Sequence, residues 1–283
     1  MASQSERRLV CLQGIDVSTQ VPAASATAEE LRPLLHQMLG EALTLLDSMP
    51  SGEEAEDEAS GWKSKGIKTF PHSISPVQLF ERTMTTDGGE GGKKKRCETW
   101  AMRRSVHEDK AAAGTASWQE WERHIKREHA SSEKAFTPTV ESTRLRQSWD
   151  CSSVPDYEGG WSDWTLKLEE SVHKLPFPLR RRVFPVLQAT AGREDEGGRR
   201  DFVVVQVAAK TDQKENDGDV VDGAYTSVER VRELDVGVEW LMGTVSDAGG
   251  VVPAWVQRMA VPGQVAKDVE LFLRWLEGER GRD

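Results

Sequence analysis

Between Pro33 and Leu46 the apolar positions Leu34, Leu35, Met38, Leu39, Ala42, Leu43 and Leu46 recur at intervals of three and four, the spacing that keeps one face of a helix against a core. Pro33 falls in the first turn, where a missing N–H is harmless. An amphipathic helix is predicted here. A second follows Ser117, whose S-x-x-E relation to Glu120 is a capping box ahead of Trp118, Trp121 and Ile125 on one face. Before it, Thr99 to Val106 alternates Trp100, Met102 and Val106 with polar residues as a strand does, interrupted by Arg104. The second half changes period. Residues 164–173, 183–190, 202–208, 224–234 and 236–246 are β-branched or alternating runs separated by Gly, Asp and Pro. No helix long enough for a parallel crossover lies between them, so an antiparallel sheet is predicted. The stripe Trp255, Val256, Met259, Val265, Val269, Phe272, Leu273, Leu276 predicts a closing helix over 253–277, with a kink or break at Pro262-Gly263.

What separates these elements is polar. Residues 1–29 read as a flexible lead-in, 30–277 as one domain and 278–283 as a tail, with mobile loops over 49–61, 87–96 and 211–223. The acidic run 53–58 and the basic run 93–96 read as solvated surface. Over 283 residues, 37 Lys and Arg stand against 47 Asp and Glu, a net charge of −10 that excludes a generally basic nucleic-acid binder. Hydrophobic residues make up 37%, enough to bury a core. Cys11, Cys97 and Cys151 lie far apart and in no CxxC pair, which argues against a zinc ribbon or disulfide framework and fits a reducing compartment. No apolar run approaches a membrane span, so a soluble, cytoplasmic protein is expected. His124 and His129 are five apart and do not share a helix face as i, i+4 ligands do. No metal is therefore expected, and without a phosphate- or dinucleotide-binding motif no cofactor either.

Two sets of short motifs carry a resemblance. Pro176 to Leu179, Arg182 to Pro185, Arg200 to Val203 and the stretch from Ser246 to Trp255 (SDAGGVVPAW) resemble the second half of START (StAR-related lipid transfer) domains. Trp100 to His107, Ser117 to Trp121, Tyr225 to Arg230 and Lys267 to Val269 are similar to a START-like family of unknown function found mainly in filamentous fungi. The resemblance covers roughly residues 30–277. It implies an α+β helix-grip fold, a curved antiparallel sheet wrapped around the long C-terminal helix, with an added N-terminal helix. It also implies a hydrophobic ligand in a tunnel between sheet and helix, and it carries no assigned activity.

The residues suit such a cavity. Val238, Trp240 and Met242 share one face of a strand whose Gly237 and Gly243 permit strong curvature, and the closing helix offers Trp255, Met259 and Val265 opposite. The same stripe serves an ordinary core equally well. Burying an apolar ligand gains about 0.8 kcal/mol per methylene before association costs, so a few polar groups suffice to orient it. Arg104, Glu169, Gln206 and Glu229 are the candidates, each facing either cavity or solvent, since a strand sends alternate residues to opposite sides.

Three functions follow. The first is binding, with transfer or sensing, of a lipid or other hydrophobic small molecule, including transient contact with a membrane surface when the kinked helix swings. The second is a cyclase- or hydrolase-type enzyme acting on a polyketide or aromatic substrate, with His173 near Glu169 or Glu229 near Arg104 as acid and base. No catalytic residue is assigned. The third is a protein-interaction module using the charged runs at 53–58 or 93–96.

Overall fold

The computed structural model describes residues 8–50, 60–88, 93–175, 179–211, 220–247 and 254–282, with side chains described outside 86–96 and 254–261. Thr27 starts the first long helix. The Glu30 carboxylate accepts from its N–H at 2.8 Å and from its hydroxyl at 2.9 Å, closing the capping box that opens Ala28–Asp47. Short helix α1 (Val17–Gln20) precedes this helix, α2. Replacing Thr27 by alanine lowers stability by about 1 kcal/mol, seen as a lower urea midpoint; an unmoved midpoint would show that the cap carries no weight.

Among the described residues eleven strands form one sheet. β1 is Ile15–Asp16, β2 Lys63–Lys68, β3 Val77–Gly88 and β4 Lys93–His107. β5 is Val140–Trp149, β6 Ser162–His173, β7 Arg181–Glu194 and β8 Arg200–Lys210. β9 is Val220–Asp222, β10 Ala224–Leu234 and β11 Gly237–Asp247. The order is β2-β3-β4-β11-β10-β8-β7-β6-β5 with antiparallel neighbours, while β1 pairs with β8 and β9 with β7 in parallel. The sheet is open, and the strands predicted in the second half are all present in it. Between β4 and β5 the chain makes α3 (Trp118–Trp121), a π-helical segment over Glu122–Arg127, and α4 (His129–Phe136). The final helix is α5 (Ala254–Arg280).

Side-chain parity divides the sheet into two cores. Val203, Val205 and Val207 of β8 face Leu31, Leu35, Met38 and Leu39 of α2. Phe202 and Val204 face the other way, toward Trp118, Trp121, Val265, Val269 and Phe272. α5 packs on β3, β4, β11 and α4, so the sheet bends round it. Gly237 permits this at the β10–β11 turn, where φ is +134° and a Cβ would lie 2.1 Å from the His107 carbonyl oxygen.

Several expectations are corrected. The lead-in is not loose from residue 8 onward. Val10 and Ile15 are buried, Glu41 of α2 accepts from the N–H groups of Leu9 and Val10, and the Thr226 hydroxyl donates to the Cys11 carbonyl. A short apolar run needs few residues to cover a sheet face once its backbone donors are met. The supposed tail is helical to Arg280, whose guanidinium grips the Glu120 carboxylate at 2.6 Å and donates to the carbonyls of Ala112 and Thr115. The basic run Lys93 to Arg96 stands in β4, with Lys93 paired to Gly88 and Arg96 to Thr86. α5 continues through Pro262, so the expected break is absent. The acidic run 53–58 and most of the loop expected over 211–223 lie outside the described residues.

Candidate functional site

Where α4 and α5 cross the sheet they leave a cavity of about 180 Å3. Sheet parity decides its floor. β10 sends Tyr225, Ser227 and Glu229 inward, β8 sends Gln206, β4 sends Arg103, and β11 sends Trp240 and Met242. α4 supplies His129, Glu133 and Phe136 from above, and α5 supplies Asp268.

The floor is a connected polar layer. Glu229 Oε1 accepts from the Trp240 indole N–H at 2.8 Å and from Arg103 Nη2 at 3.3 Å, while Oε2 lies 3.8 Å from His129 Nδ1. The Arg103 guanidinium lies over the Trp240 ring, 3.7 Å from its centroid. Next to this group Gln206 Oε1 accepts from the hydroxyls of Ser227 (2.8 Å) and Tyr225 (3.2 Å), and its amide donates to Gln188. Arg103 is 1% exposed, and among the described residues its Nε and Nη1 have no hydrogen-bond partner.

Burial perturbs these groups strongly. It pushes Asp268 up to about 7, helped by the nearby Glu133 and Glu229 and opposed by Arg103. Burial also raises Glu133, against the pull of His129, with Glu229 and Glu169 adding to the rise. For His129 burial acts downward, but the Glu229 and Glu133 carboxylates outweigh it and the imidazole sits above its ordinary value. His173 at the cavity edge is held down to about 4 by burial, and burial also lowers Arg103.

Gln206, Glu229, Trp240 and Met242 of the sequence candidates line the cavity, and Glu169 lies on the same face of the sheet with Oε2 unpartnered. Val238 and Val265 sit in the adjoining apolar core. Trp255 and Met259 lie outside the described side chains. Arg104 is misplaced by the sequence reading. It faces the opposite side, bound to Glu239 at 2.7 Å and Gln78 at 3.2 Å, because a one-residue step along a strand exchanges faces. The acid–base pair expected of Glu229 and Arg104 is therefore not formed, and Arg103 takes that place. His173 hydrogen-bonds the Ser171 hydroxyl, two positions along β6.

The cavity wall is also less oily than the sequence suggested, since Arg103, His129, Glu133, Glu229 and Asp268 line it, while Trp121, Trp240 and Phe272 fill the space beneath the second half of α5. Arg103, Tyr225 and Asp268 belong to motifs already singled out, whereas His129 and Glu133 had one usable signal, an i, i+4 relation on α4. Among the described residues no group of three His, Cys, Asp or Glu side chains is placed to hold a metal, and no helix is long and apolar enough to cross a membrane.

A curved antiparallel sheet packed against a long C-terminal helix is the START-like helix-grip arrangement. Human STARD10 superposes with a TM-score of 0.50 at 12% identity, covering 92% of this chain and 83% of that one. Human StAR-related lipid transfer protein 5 superposes with a TM-score of 0.51, also at 12% identity, covering 86% and 98%. Residues 100–276 match the family described as a protein of unknown function (DUF3074), and the chain belongs to that family. No curated protein matches the sequence.

Proposed function

We propose that this protein binds a lipid or other hydrophobic small molecule between the sheet and α5. One observation carries the reading: apolar walls, Ile125, Phe136, Trp240 and Met242, converge with orienting polar groups on one cavity. The name of one similar structure, human StAR-related lipid transfer protein 5, agrees with it. Size refines it. A cavity of about 150 Å3 holds benzene, so about 180 Å3 seats a ring or a head group. A longer body requires the first half of α5 to move. Pro262 provides the place, because it gives no N–H to the preceding turn and weakens the helix there. Loading at a membrane surface and transfer of the cargo follow from that motion, within a single domain that includes the packed segment from residue 8.

The test is native mass spectrometry of the purified protein, with extraction of what is released. A stoichiometric amphipathic species is expected, and it is lost in Met242→Trp, whose larger ring occupies the cavity. Consistently empty protein that takes up no added lipid counts decisively against the reading. A second reading, acid–base catalysis on a cyclic substrate, draws on Asp268 titrating near neutrality beside Arg103 and His129. Turnover abolished by Asp268→Asn with ligand uptake retained would favour it.

A further inference from the structure

The polar lining shows what kind of head group this cavity takes, an inference that rests on the binding reading above. Glu133, Glu229 and Asp268 stand against the Arg103 guanidinium and the His129 imidazole. Glu229 Oε1 is taken up by Trp240 and Arg103, and Oε2 faces His129. Glu133 and Asp268 come from different helices to the same cavity, and neither carboxyl has a hydrogen bond among the described residues. Arg103 adds the complementary need, for its buried Nε and Nη1 lack an acceptor among the described residues.

We infer that the preferred cargo is an amphiphile whose head carries a protonated amine beside an oxygen acceptor, the ammonium lying between Asp268 and Glu133 and the oxygen on Arg103. An ammonium brings up to three donors to two carboxylates, and a hydroxyl or ester oxygen completes the guanidinium. A simple carboxylate ligand fits worse, since the Arg103 cation is already shared by Glu229 and Asp268 and a further anion would find no second cation free of a carboxylate partner. Burial keeps Asp268 and Glu133 inclined to hold protons, so amine binding expels protons and weakens as pH falls below about 7. The other ionisable groups facing the site are Arg103 on β4, Glu169 and His173 on β6, Tyr225 and Glu229 on β10, His124 on the π-helical segment and His129 on α4.

The test compares 2-amino-1-octanol, octylamine, 1-octanol and octanoate by titration calorimetry on the full chain, near pH 7.5 and near pH 5.5, in two buffers of different ionisation enthalpy. The amino alcohol is expected to bind about tenfold tighter than octanol at the higher pH, with proton release and a smaller margin at the lower. Octylamine falls between them. Asp268→Asn and Glu133→Gln each reduce the margin while leaving octanol binding in place, which also shows that the variants are folded. Octanol or octanoate matching the amino alcohol, or a margin that survives both substitutions, overturns the amine preference and leaves the cavity reading standing. Octylamine equal to the amino alcohol overturns the role given to Arg103. Failure of all four, octanol included, overturns the binding reading and this inference with it.

Discussion

Replacing Phe272 by alanine is expected to lower the stability of the fold by about 3–5 kcal/mol, the range for removing a fully enclosed aromatic ring. Phe272 is 0% exposed, and its ring lies 5.0 Å from Trp121 in a stacked arrangement, 5.5 Å from Trp240 edge to face and 5.6 Å from Phe136. These partners come from α3, β11 and α4, so one side chain of α5 ties the helix to three other elements. The loss combines transfer free energy with a void that the rigid indoles cannot collapse into. It also falls unevenly. α5 meets the sheet mainly through this cluster and the neighbouring Val265, Val269 and Leu273, so hydrogen exchange in the helix should rise well before global unfolding. Urea denaturation gives the global loss, and exchange under native conditions gives the local one. Leu145→Ala, at a site 56% exposed, is the comparison and should change stability by less than about 0.5 kcal/mol. A loss below about 1 kcal/mol in Phe272→Ala with unchanged exchange in α5 would mean that the helix is gripped elsewhere.

The same residues show what periodicity could reveal. α2, α5 and strands β6, β7, β8, β10 and β11 were legible because each carries a dense apolar face at a period of 3.6 or 2. β2 was not. Its sequence KSKGIK is exposed along its whole length, as suits an edge strand defended by lysines. β3 was hidden for the opposite reason, since Val77 and Leu79 feed one core and Phe80 the other, which blurs the alternation. The cavity was half legible. Polar residues in apolar strands flagged Gln206 and Glu229, yet at Arg103-Arg104 a choice between adjacent identical residues depends on register, and register is set by pairing with β3 and β11. Glu133 looked like a surface residue on a short polar helix, because only the path of the chain between β4 and β5 brings it over Asp268.

Asp268 offers the second large effect, and its sign depends on pH. A carboxyl whose pKa is higher in the folded protein than in the unfolded chain contributes nothing where both states hold the proton. As pH rises past the ordinary aspartate value of 3.8, the unfolded chain releases its proton while the folded protein keeps it until about 7. Stability therefore falls across that window and levels off above it. At about 1.4 kcal/mol per pH unit the window amounts to at most about 4 kcal/mol. Contact of the carboxyl with cavity solvent brings the expected effect to the order of 3 kcal/mol. Asparagine reproduces the shape of the protonated acid and cannot ionise, so Asp268→Asn should match the parent near pH 4 and exceed it above about pH 7. Denaturant melts at closely spaced pH values measure the difference curve, which reports Asp268 together with the Glu133 titration coupled to it. A variant less stable than the parent at neutral pH would show that the ionised carboxylate is held by Arg103 rather than penalised by burial. An amine-headed ligand should bring the two proteins together at neutral pH by stabilising the parent more, because only the parent can place a negative charge beside the ammonium.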